Sequence, residues 1–269
     1  MMAKVSVLDE ILQRKRLRIK CAQEAVSLSE LSERAHALRN GAKPFALRAA
    51  VTARKGDLAI IAEFKRASPS KGDLRREADA ATFARTLQQN GAAAISVLTE
   101  EDFFAGSLED LITVKAAVSI PVLRKDFMID EYQVFESAAA GADAVLLIVA
   151  ALADQQLSSL RQLTENELAM DALVEVHTAD EMKRAISCGA SLVGVNNRDL
   201  RTLAVSLDAA EHISALAPAD MILICESGLN SHSDLQRFGK AGFHGFLIGE
   251  ALMKADDPGS ALQGLLGQS

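Results

Sequence analysis

The sequence predicts an α/β fold: a closed (β/α)8 TIM barrel preceded by an N-terminal helical extension. Three observations carry the prediction. After residue 57, short apolar runs alternate with longer segments of helical apolar spacing; the runs number eight; and several open at a Gly-Ala or similar small turn.

The candidate strands, in order, are about 58–64 (LAIIAEF), 93–98 (AAISVL), 121–125 (PVLRK), 143–148 (DAVLLI), 172–176 (ALVEV), 192–196 (LVGVN), 221–225 (MILIC) and 244–248 (HGFLI). Eight parallel strands are the number that closes a barrel, whereas a doubly wound open sheet would give a similar local pattern with another count. Gly91-Ala92, Gly141-Ala142, Gly189-Ala190 and Gly242-Phe243 stand where a helix must end and the chain turn into the next strand.

With 269 residues, 49% hydrophobic and 24% charged, the chain can bury one large core, and its 5 Pro and 16 Gly form no linker. One domain, 1–269, is expected, with residues 1–57 as the extension and 58–269 as the barrel. In the extension Arg14, Lys15, Arg16, Arg18 and Lys20 fall among Val7, Leu8, Ile11, Leu12 and Ile19 at helical spacing, so these charges are expected to form a solvated helix face.

A net charge of −7 argues against a nucleic-acid partner, which needs a clustered positive field. Three scattered cysteines suit reduced thiols rather than a disulfide framework or a metal site. The longest apolar run, 144–153, is too short to span a membrane, and the first residues carry no apolar signal block, so a cytoplasmic protein is expected. The five histidines show no metal-ligand spacing, and no Gly-x-Gly-x-x-Gly or Walker loop is present, so neither a metal nor a cofactor is expected.

The functional signal lies in polar residues at the ends of apolar runs: Glu63 and Lys65, Lys125, Glu175, Asn196 with Arg198, and Glu226 with Ser227. The C-terminal mouth of an α/β barrel gathers groups from separate strands, so this placement predicts one shared site. Glu63 and Lys65, two residues apart, point to the same side of their strand, inward if Phe64 packs outward; the plain alternative is an internal salt bridge. The run Ser68-Pro69-Ser70-Lys71-Gly72 can cover a substrate or present hydroxyls to it. Ser227-Gly228 and Gly249-Glu250 follow the seventh and eighth strands, where barrels often bind a phosphate through backbone N–H groups. His177, just past the fifth strand, can touch substrate or serve structure.

The stretches IAEFKRASPSKG (61–72), ISVLTEEDFFAGS (95–107), PVLRKDFMID (121–130), GADAVLLIVAAL (141–152), LVEVH (173–177), GVNNRDL (194–200), ICESGL (224–229) and FLIGEALM (246–253) occur in that order. By them the chain resembles the indole-3-glycerol-phosphate synthase family along nearly its whole length. The resemblance implies a lyase of tryptophan biosynthesis. It closes 1-(2-carboxyphenylamino)-1-deoxyribulose 5-phosphate to indole-3-glycerol phosphate with loss of carbon dioxide and water, without a cofactor.

It further implies Lys125 as general acid in ring closure, with cationic neighbours lowering its pKa, and Glu175 as general base in rearomatisation. Lys65 would hold the substrate carboxylate or act as acid in dehydration, and Glu63 would orient Lys65. Asn196, Arg198, Glu226 and Ser68 would bind substrate, and Phe104, with Leu146 and Leu147, would wall the aromatic ring. Ser227, Gly228, Gly249 and Glu250 would take the phosphate, with Lys65 assisting. The only expected partner is this phosphorylated small molecule, on a monomer. A phosphate-binding isomerase, a Schiff-base aldolase using Lys125 and a barrel that has lost its chemistry are the competing readings.

Overall fold

In the computed structural model, which describes residues 6–54, 58–198 and 205–268, eight strands form a closed parallel barrel. They are β1 (Ala59–Phe64), β2 (Ala94–Leu98), β3 (Val122–Lys125), β4 (Ala144–Ile148), β5 (Asp171–Val176), β6 (Leu192–Asn196), β7 (Ile222–Glu226) and β8 (Gly245–Ile248). Each pairs with its sequence neighbour, and β1 pairs with both β2 and β8, which closes the ring. The strands fall within about one residue of the expected runs, and Glu226 proves to be the last residue of β7.

The repeated glycine turns have one geometry. Gly91, Gly141, Gly189 and Gly242 all have φ between 81° and 99°. The amide of each following residue reaches back to the helix, as in Ala92 N to Leu87 O at 2.9 Å and Ala142 N to Ser137 O at 2.9 Å. This left-handed ending satisfies carbonyls that the helix leaves open, and a Cβ would strain it.

Alternation along each strand sends side chains to two buried faces, which is why the runs read as continuously apolar. Phe64 packs outward against Phe83 of the helix Ala80–Gln89, with ring centroids 5.4 Å apart. Its neighbours Glu63 and Lys65 therefore face the axis. After β1 the chain forms a small antiparallel hairpin, Ala67–Ser68 with Gly72–Asp73, where the sequence suggested only a loop.

The extension supplies helices α1 (Val7–Ala25), α2 (Leu28–Arg39) and α3 (Ala46–Thr52). Ser6 and Asp9 form a reciprocal capping box that starts α1. The expectation of a wholly solvated basic face is corrected here. Arg14, Arg16, Arg18 and Lys20 are exposed, but Lys15 is 4% exposed. Its Nζ lies 2.9 Å from Asp126 Oδ1 and 3.2 Å from Glu101 Oε2. Asp126 also accepts from Arg124 and Thr99, so the lysine closes a buried network between α1 and the end of β3. Arg18 binds Asp102 through two nitrogens at 2.8 and 3.0 Å, tying α1 to the β2 loop that carries Phe104.

Candidate active site

At the C-terminal mouth of the strands lies a cavity of about 840 Å3. Its wall includes Glu63, Lys65, Lys125, Glu175, Asn196, Arg198 and Glu226, drawn from β1, β3, β5, β6 and β7 or from the residues just past them. Register explains the convergence. Leu98 pairs with Lys125, Ile148 with Glu175 and Asn196 with Glu226, so the strand ends sit side by side around the rim.

Lys125 is the hub. Its Nζ lies 2.9 Å from Glu175 Oε2 and 3.0 Å from Glu226 Oε2. Burial disfavours the ammonium, but the carboxylates of Glu175, Glu226 and Glu63 outweigh it and raise the lysine above its ordinary pKa. This reverses the expectation of cationic neighbours: the groups around Lys125 are anionic, and it holds its proton firmly.

The two carboxylates beside it diverge. Burial pushes both up; Lys125 and His177 overcome this at Glu175 and hold it below the usual carboxylate range. At Glu226 burial prevails over Lys125, and with Glu175 adding repulsion its pKa is pushed up to about 8. Two carboxylates sharing one ammonium cannot both be fully ionised cheaply, so the charge resides on Glu175. Glu226 Oε1 turns down into the barrel, buried and without a hydrogen-bond partner among the described residues. Lys65 pairs with Glu63 on the opposite part of the rim.

The other side of the cavity is backbone. Ser227 and Gly228 adopt positive φ of 67° and 81° and, with Gly249 and Glu250, line the mouth. Among the described residues the amides of Gly228, Gly249 and Glu250 donate no hydrogen bond, which leaves open donors on three residues that line the mouth. Gly249 also packs on β1: a Cβ there would fall 2.4 Å from Glu63 Oε1. The Glu250 side chain pairs with Lys254 at 2.7 Å, Lys71 at 3.6 Å and Arg198 at 3.9 Å.

The indole-3-glycerol phosphate synthase family model matches residues 8–265. The chain belongs to the indole-3-glycerol phosphate synthase family. The indole-3-glycerol phosphate synthase of Carboxydothermus hydrogenoformans is 45% identical over 262 residues, covering 96% of this chain and 99% of that one. The enzyme of the same name from Mycolicibacterium gilvum is 48% identical over 265 residues, covering 98% and 95%. Among solved structures, 3-hexulose-6-phosphate synthase from Salmonella typhimurium aligns with a TM-score of 0.62 at 13% identity, over 79% of this chain and 100% of that one, a likeness of fold.

Of the residues that the resemblance to indole-3-glycerol phosphate synthase singled out, Glu63, Lys65, Phe104, Lys125, Glu175, Asn196, Arg198, Glu226, Ser227, Gly228, Gly249 and Glu250 all line the one cavity. Ser68 does not. It is 8% exposed within the hairpin, and Ser70, two residues on, lines the mouth and lies 3.4 Å from Arg198 Nη1. Leu146 faces the cavity, whereas Leu147 is fully buried on the other side of β4. Asp199 and Leu200, the end of the matched GVNNRDL stretch, lie outside the described residues.

Sequence reasoning missed Asn197. Its Nδ2 donates to Glu226 O and Ser227 O, both at 3.0 Å, and its own amide donates to Glu226 O at 2.9 Å. These bonds hold Ser227 in the left-handed conformation that opens the amide turn. The doubled asparagine at 196–197 was the available signal, since two successive strand-end amides cannot both face the axis.

Proposed function

We propose that Lys125, Glu175, Lys65 and Glu63 perform, at this mouth, the family's reaction. A carboxyphenylamino-deoxyribulose phosphate closes to indole-3-glycerol phosphate with loss of carbon dioxide and water, a lyase step of tryptophan biosynthesis. The observation that carries the assignment is the Lys125 ammonium held between Glu175 and Glu226, across one cavity from a turn of open backbone amides.

As the aryl carbon attacks the sugar carbonyl, negative charge develops on the carbonyl oxygen. Lys125 protonates it. An alkoxide is a far stronger base than an amine, so a lysine held above its ordinary pKa still donates to it. Loss of carbon dioxide then restores the benzene ring. Lys65, paired with Glu63, holds the departing carboxylate or protonates the leaving hydroxyl, and Glu63 stabilises positive charge on the ring nitrogen. Glu175, kept ionised, removes the proton whose loss makes the five-membered ring aromatic.

Asn196, Arg198 and Glu226 bind hydroxyl and carboxylate groups, with Ser68 behind them in the hairpin. Phe104, 6.2 Å from Phe127, provides an apolar wall. The amides of Gly228, Gly249 and Glu250, with Ser227 and assistance from Lys65, take the phosphate. The enzyme is proposed to work as a cytoplasmic monomer. Among the described residues its large exposed apolar side chains, Leu17, Leu38, Ile112, Val205 and Leu216, are spread over different elements of the fold. Among the described residues no helix is long and apolar enough to cross a membrane. Sedimentation at micromolar concentration tests the first point.

The direct test is turnover of the substrate followed by indole fluorescence. The parent is expected to form product, and Lys125→Ala and Glu175→Gln to lose about 10²-fold or more in kcat with the fold preserved. Parental rates in both variants would remove the assignment.

A further inference from the structure

His177 immediately follows β5, two residues beyond Glu175. It is not among the residues lining the cavity, although Glu175 is. Its ring is wedged between two carboxylates: Nε2 lies 3.3 Å from Glu175 Oε1, an ion-pair contact outside hydrogen-bond alignment, and Nδ1 lies 3.3 Å from Glu181 Oε2, within it. The histidine is locked from its backbone as well, since its amide donates to Glu181 Oε2 at 2.7 Å. Glu181 is itself fixed in the first turn of the helix Ala179–Ser187, where its amide donates to the capping Thr178 hydroxyl at 3.2 Å.

Acidic and basic side chains thus alternate along one line: Glu181, His177, Glu175, Lys125, Glu226. Each carboxylate oxygen of Glu175 faces a different cation, Oε2 the lysine on β3 and Oε1 the histidine just past its own strand.

We propose that His177 is a positioning residue for the reaction: its imidazolium holds the Glu175 carboxylate ionised and aimed at the substrate, and Glu181 holds the imidazolium. This rests on the reading of Glu175 as the base. Burial works against a charged imidazole, but Glu175 and Glu181 together push its pKa up to about 10, so the ring is cationic at neutral pH. Two contacts fix a carboxylate where one lets it swing, and a base that must meet a C–H proton loses rate steeply with misalignment. Removing the cation also removes one of the two charges that keep Glu175 ionised against burial; Lys125 remains, and Glu226 on β7 still repels it.

The test compares His177→Ala, His177→Gln, Glu181→Gln and Glu175→Gln with the parent by kcat, KM and the pH profile of kcat. In His177→Ala, kcat is expected to fall about 10- to 100-fold with KM within about threefold, because the ring does not reach the cavity. Its acid limb is expected to move up by about one pH unit, since the base has lost a nearby cation. His177→Gln restores a neutral donor of similar reach, so it should recover much of kcat while keeping the raised acid limb. Glu181→Gln, at a partly exposed position, leaves the ring protonated at acid pH but loosens its seat, so it should lower kcat by less with no rise of the acid limb, and it keeps the test valid should the alanine variant fail to fold.

Parental kcat in both His177→Ala and Glu181→Gln, with an unmoved acid limb in His177→Ala and an inactive Glu175→Gln, would overturn the role of His177 alone. A raised KM at unchanged kcat would likewise overturn it, by making the histidine a substrate contact. Parental turnover in Glu175→Gln would overturn the assignment of the base, and this proposal with it.

Discussion

Gly194, in the middle of β6, is expected to be indispensable although it does not line the cavity. A Cβ built there falls 2.1 Å from Glu226 Oε1, 3.2 Å from the Cδ of the same side chain and 3.4 Å from Leu173 Cδ1. Ordinary contact requires more than about 3 Å, so in Gly194→Ala the carboxylate must retreat by roughly 1 Å. The 3.0 Å contact between Glu226 Oε2 and Lys125 Nζ then opens beyond hydrogen-bond range, and the ammonium is drawn to Glu175 alone.

Overpacking costs about 1–3 kcal/mol, offset by the roughly 0.5–1 kcal/mol that alanine gains over glycine in a strand. Stability should therefore fall only slightly. A displacement of about 1 Å in a catalytic constellation costs about 10²-fold in rate, or ~2.7 kcal/mol. Steady-state fluorescence assays of product, with a thermal melt on the same sample, measure both. A folded Gly194→Ala variant with kcat within about threefold of the parent would refute the coupling of Glu226 to Lys125.

Burial and the neighbouring Glu175, against the pull of Lys125, give Glu226 a pKa of about 8. The fold therefore favours its protonated form. That contribution is fully present below the unfolded carboxyl value and is lost as pH rises through about 8. Glu226→Gln, which keeps the protonated shape, should match the parent's Tm near pH 5 and exceed it at pH 9; a Tm difference that does not change with pH would contradict this. Lys15→Met leaves the fully buried Asp126 with one cation fewer and should cost about 2–4 kcal/mol in denaturant unfolding, whereas Arg18→Ala at the exposed end of the same strap should cost less than about 1 kcal/mol. Equal effects of the two would place the strap's strength at the surface.

Much of the fold was legible because a barrel strand is buried on both faces and several βα units repeat the same glycine-terminated helix; Gly91, Gly141, Gly189 and Gly242 each stand three residues before a strand. The site residues were legible for a related reason. A charge such as Lys125 or Glu175 at the end of an apolar strand has few places to go except the mouth. What sequence could not supply was the sign of the field each charge meets. Lys125 lies in sequence beside Arg124, yet strand alternation turns that guanidinium outward to Glu136 and Asp126 and leaves the lysine among carboxylates from β5 and β7. Lys15 was misjudged by the opposite error: a basic run looks solvated, but its spacing of four from Ile11 and Ile19 put it on the buried face of α1. Partners distant in the chain, such as Asp126, were needed to see it.

Diffraction from the protein with indole-3-glycerol phosphate bound would bear most directly on one small anion being shared by all these groups. The phosphorus atom is expected within hydrogen-bonding reach of the amides of Gly228, Gly249 and Glu250, with the indole ring against Phe104 and between Lys125 and Glu175. A phosphate seated on Lys125 itself, or product bound only in the cavity of about 500 Å3 beside Lys43 and Arg54 on another part of the surface, would contradict the shared mouth.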